Sequence, residues 1–82
     1  MIRVRFFATL RDLAGRGEMD IDVQPGATVA ELFGNLERQF PGIARYRPIL
    51  LVAVNEEYSG WETQLADGDE VAFFPPVSGG SA

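Results

Sequence analysis

The chain has 82 residues with 12 acidic and 7 basic side chains, a net charge of -5, and neither cysteine nor histidine. That length supports one small core, and an ordinary apolar share of 46% argues against a disordered class. Missing Cys and His exclude disulfide staples, thiol chemistry, Ser-His-Asp catalysis and His- or Cys-ligated zinc, while the negative charge disfavours nucleic acid and anionic membranes and favours a basic cleft on a protein partner.

Every basic residue is an arginine: Arg3, Arg5, Arg11, Arg16, Arg38, Arg45 and Arg47. The chain therefore offers no lysine for isopeptide linkage to itself, which compositional bias explains adequately. No apolar run approaches the ~20 residues of a membrane span. The opening Met-Ile-Arg-Val-Arg alternates and is not a signal peptide, so a cytoplasmic location is expected.

Ile2, Val4, Phe6 and Ala8 alternate with Arg3, Arg5 and Phe7, the period of a half-buried strand. Residues 11–17 break the run with glycines. Alternation resumes at Met19, Ile21 and Val23, so the two runs read as a hairpin with a long connection, ended by Pro25-Gly26. Thr28 and Glu31 have capping-box spacing, and Val29, Leu32, Phe33, Leu36 and Phe40 fall on one helical face. The helix is expected at roughly 28–39, stopped by Pro41-Gly42. Ile49 to Val54 is a continuous apolar run and reads as a buried strand. Asn55-Glu56-Glu57 is a turn, Asp67-Gly68-Asp69 another, and Glu70 to Phe74 the last strand. The acidic turn lacks the spaced ligands of a calcium loop. Trp61 reads as core or edge packing, and Ser78 has no base to activate it.

One helix over one sheet is an α+β arrangement. The order strand, strand, helix, strand, strand matches the ubiquitin-like β-grasp fold, a mixed sheet packed on one main helix, with first and last strands parallel at its centre. Residues 1–76 are expected to form the domain. Residues 77–82 then make a flexible tail, Gly-Gly with a Ser-Ala extension.

Phe6-Phe7-Ala8, Ala53-Val54-Asn55 and the stretch from Asp67 through Phe73-Phe74-Pro75-Pro76-Val77-Ser78 to Gly79-Gly80 together resemble the small subunits of molybdopterin synthase, ubiquitin-like sulfur carriers related to the thiamine carriers. The resemblance spans essentially the whole chain, and the terminal motif is its specific part. It implies that the carboxyl of Gly80 is the reactive group. An ubiquitin-activating-type enzyme would adenylate it with ATP, and sulfur would displace AMP to leave a thiocarboxylate for the large catalytic subunit to use on a pterin precursor. Gly79 would give clearance, and Pro75 and Pro76 would stiffen a tail that, from Pro75 to Gly80, reaches roughly 20 Å when extended. The chain would bind no cofactor and would not be an enzyme alone.

Phe7 and Phe74 are each out of phase with the core residues of their strands. If the strands are neighbours, both lie on the sheet face away from the helix, as a binding patch or as a lipophilic surface under a loop. In the resembled family the matching positions contact the large subunit, with Tyr58 nearby and Arg11 close by.

One departure stands out. Gly80 is bonded to Ser81, whereas directly acting family members end at Gly-Gly. Three explanations stay open: trimming by a JAMM-type metalloprotease, a remnant of cloning, or a homologue that carries no sulfur. Two rival functions follow, a sulfur carrier for thiazole, an amino acid, tRNA or a natural product, and a non-carrier β-grasp interaction module.

Overall fold

The computed structural model describes residues 1–76. Five strands form one sheet in the order β2-β1-β5-β3-β4. They are β1 (Ile2–Phe6), β2 (Glu18–Ile21), β3 (Leu51–Val54), β4 (Glu57–Ser59) and β5 (Glu70–Phe74). β1 and β5 run parallel at the centre, with Val4 opposite Val71 and Phe6 opposite Phe73. Helix α2 (Val29–Gln39) covers one face. This is the α+β, β-grasp arrangement expected from the sequence.

The capping box starts α2 as its spacing required. Thr28 Oγ1 accepts from the Glu31 N–H at 3.2 Å, and Glu31 Oε1 accepts from the Thr28 N–H at 2.8 Å. Val29, Leu32, Phe33 and Leu36 are fully buried against Ile2, Val4, Phe6, Val71 and Phe73. Each large side chain so buried contributes about 1.5–3 kcal/mol. Trp61 is half-buried and stacks on Phe73 at 6.0 Å, with its edge toward Phe33 at 5.2 Å. The helix ends at Phe40 because Pro41 disfavours helical dihedrals in the residue before it.

Four elements differ from the sequence reading. The β1–β2 connection contains a short helix, α1 (Thr9–Ala14), which buries Leu10 and Ala14 one turn apart and ends on Gly15 at φ 75°. A 3-10 segment (Pro41–Ile49) follows α2, anchored by buried Ile43. β4 follows the turn at Asn55-Glu56 and pairs antiparallel with β3. β3 itself starts at Leu51, because Ile49 closes the 3-10 segment.

Candidate functional site: the open face of the sheet

β1 and β5 are neighbours, so the out-of-phase aromatics meet on the face opposite α2. The Phe7 and Phe74 rings pack edge to face at 6.1 Å, and Tyr58 from β4 reaches Phe74 at 6.0 Å. Phe7 keeps 41% of its surface exposed and Tyr58 77%. The register places Ala72 beside Arg5 on one side and Ala53 on the other, with Tyr58 opposite Ala53. Two alanines between larger neighbours leave a shallow trough. The result is a hollow of about 570 Å³ walled by Phe7, Phe74, Pro75 and Pro76, floored by Ala53 and Ala72, and rimmed by Arg5, Glu56 and Glu70. Exposed, contiguous apolar surfaces are typical of interaction sites, which makes this face the candidate.

The charged half of the face is tied up differently. Arg3 pairs with Asp20 at 2.7 Å and Glu18 at 3.4 Å. The Arg5 guanidinium lies 5.5 Å from the centre of the Phe7 ring and 3.4 Å from the Glu70 carboxylate. Below it, Asn55 joins two of the sequence motifs. Its N–H donates to the Glu70 carbonyl at 2.8 Å, its Oδ1 accepts from the Glu70 N–H at 3.0 Å, and its Nδ2 donates to Asp69 Oδ1 at 3.0 Å. Asp69 also accepts from the Ala66 N–H at 2.8 Å. That backbone donor first, and the Asn55 amide second, hold the Asp69 carboxyl below the usual carboxylate range. The acidic turn thus uses its carboxylate as a turn acceptor. Among the described residues no cluster of acidic side chains could hold a metal ion, and no helix is long and apolar enough to cross a membrane.

Of the residues singled out in the sequence, Phe7, Phe74, Pro75, Pro76 and Tyr58 come together. Arg11 sits on α1, where its Cδ lies 3.5 Å from the place a Cβ on Gly17 would occupy, and it does not line the hollow. Val77, Ser78, Gly79 and Gly80, with Ser81-Ala82, lie outside the described residues. Leu51, Ala53, Ala72 and Glu56 were not singled out as site residues. Leu51 pairs with Phe74 and is 38% exposed, so β3 is not a doubly buried strand. Its unbroken apolar run, read as burial, is in part the signature of this open apolar face.

The central parallel strands, the covering helix α2 and the aromatic open face define a β-grasp domain with one exposed apolar face. A model of the ThiS family matches residues 4–80, and the chain belongs to that family. The molybdopterin synthase sulfur carrier subunit of Escherichia coli (strain K12) is 40% identical over 82 residues, covering 98% of this chain and 100% of that protein. The resemblance to molybdopterin synthase small subunits read from the sequence is thereby borne out. Small archaeal modifier protein 3 of Haloferax volcanii is 34% identical over 90 residues, covering 96% of this chain and 98% of the relative. The crystal structure of SAMP1 from the same organism superposes with a TM-score of 0.84 at 31% identity, covering 95% of this chain and 97% of that one.

Proposed function

We propose that this chain is the sulfur-donating small subunit of a cytoplasmic molybdopterin synthase and is not an enzyme by itself. The full-length likeness to the E. coli sulfur carrier subunit carries the reading. The geometry supports it: β5 delivers Phe74-Pro75-Pro76 to the rim of an apolar docking face, so a partner seated there also receives the chain that continues toward Gly80.

The chemistry follows from the weakness of a carboxylate as electrophile. A partner adenylating enzyme joins the Gly80 carboxylate to the α-phosphate of ATP and releases pyrophosphate. A sulfur nucleophile then attacks the acyl carbon, AMP leaves, and a thiocarboxylate remains. The large subunit supplies the acid–base groups for sulfur transfer to the pterin precursor, and this chain supplies the sulfur and its delivery. Before any of this, the Gly80–Ser81 amide must be hydrolysed, and a JAMM-type protease is the processing partner proposed for that step. The chain itself binds no cofactor; ATP belongs to the activating enzyme.

The Gly80–Ser81 bond, together with the likeness to an archaeal modifier protein, favours one second reading: the same acyl activation serving an acceptor in another pathway. Reconstitution separates the two. The chain ending at Gly80 as a thiocarboxylate should convert the pterin precursor when mixed with the large subunit, and the 82-residue form should not. A thiocarboxylated chain that docks but transfers no sulfur would contradict the first reading.

A further inference from the structure

The docking face carries one charge that the fold does not use. Arg5 is committed to Glu70 and to the Phe7 ring. Glu56 lines the same hollow, is exposed, and makes no ion pair or side-chain hydrogen bond among the described residues. The rim of Arg5, Glu56 and Glu70 is therefore net negative, with Glu56 uncompensated. Its backbone is also costly. Asn55 and Glu56 both have positive φ, 51° and 71°, as a two-residue hairpin turn between β3 and β4 requires. Asparagine tolerates that region, and the second position favours glycine. The hydrogen bonds of Asn55 to Asp69 and Glu70 fix the turn to β5 and so fix the height of Glu56 above the hollow.

Building on the docking role proposed above, we propose that Glu56 is a specificity contact of this face: it receives the cationic head of a long basic side chain of the large subunit, whose aliphatic stem lies along Ala53 and Ala72. The trough suits such a side chain. Its floor is small and apolar, its walls are two phenyl rings and two prolines, and its far rim holds the Glu56 carboxylate. A chain with net charge -5 meets a basic partner by the same complementarity. Glu57, next in sequence, opens β4 and does not line the hollow.

The test is calorimetric binding of the large subunit to wild type, Glu56→Gln and Glu56→Gly, with melting temperatures measured alongside. Glu56→Gln keeps the side-chain shape and should weaken binding roughly tenfold at an unchanged melting temperature. Glu56→Gly relieves the left-handed backbone, so it should melt no lower than wild type while binding as weakly as Glu56→Gln. Raising salt until the Debye length falls from ~10 Å to ~3 Å should weaken wild type more than either variant. Equal affinities and equal salt dependence for all three would overturn the assignment while leaving the docking face standing. No complex with wild type would remove the docking role itself, and this contact with it.

Discussion

Phe6 ends β1 and Phe7 follows it, and the two rings lie on opposite faces of the sheet, so truncating each should have opposite consequences. Phe6 is 2% exposed and packs edge-on against Phe40 at 6.1 Å. Phe6→Ala should cost ~3–5 kcal/mol, the range for removing a buried phenyl ring. A domain of this size has roughly 4–12 kcal/mol in all, so that loss is about a quarter of the stability or more. Phe7 keeps 41% of its surface in water, so its burial is worth only about 1–2 kcal/mol. Its ring should matter more to binding, where a central aromatic anchor typically costs 2 kcal/mol or more on truncation, about thirtyfold in affinity. Urea unfolding followed by the fluorescence of Trp61, the one tryptophan, reports the first quantity, since that ring stacks on Phe73 in the core. Titration with the large subunit reports the second. A Phe7→Ala variant as unstable as Phe6→Ala would refute the face assignment, and one that binds normally would refute the docking role.

Thr28→Ala removes the oxygen that caps α2 and should cost ~1 kcal/mol in urea unfolding, with Thr28→Ser nearly neutral. Asp69 titrates below its unfolded value, so its contribution to stability is complete above about pH 4 and is lost as pH falls through the lower folded value. Asp69→Asn should therefore be less stable than wild type at neutral pH, and the gap should close below about pH 4, read from thermal melts across that range. A gap independent of pH would mean that the carboxylate charge is not what the turn uses.

Much of this fold was legible because local signals and tertiary packing agree. The alternation of β1, the capping box of α2 and the Asp-Gly-Asp turn before β5 each specify their element without help. α1 was not read because Gly15 and Gly17 directly after it made the stretch look like a plain break, although Leu10 and Ala14 sit one helical turn apart. β4 is three residues long on a sheet edge, held by pairing with β3 more than by its own side chains. The 3-10 segment buries only Ile43 and has no amphipathic stripe to announce it. The aromatic pair on the open face followed from strand phase alone. The trough floor did not, since Ala53 and Ala72 acquire meaning only when the register sets them side by side. Glu56 was read as a turn residue, and nothing in its local sequence brings it to the rim of a hollow built on β1, β3 and β5.

The carrier role requires that Gly80 become a thiocarboxylate. The most direct test is the intact mass of the untagged chain purified from its own host, before and after incubation with ATP, a sulfur source and the host's activating enzyme. Deleting Gly80 supplies the control and should leave folding unchanged, since among the described residues the last buried side chain is that of Phe73. Loss of Ser81-Ala82 followed by exchange of one oxygen for sulfur is the predicted result. A chain that keeps Ser81-Ala82 in its host and never gains sulfur would contradict the carrier reading and leave a β-grasp module that acts by binding alone.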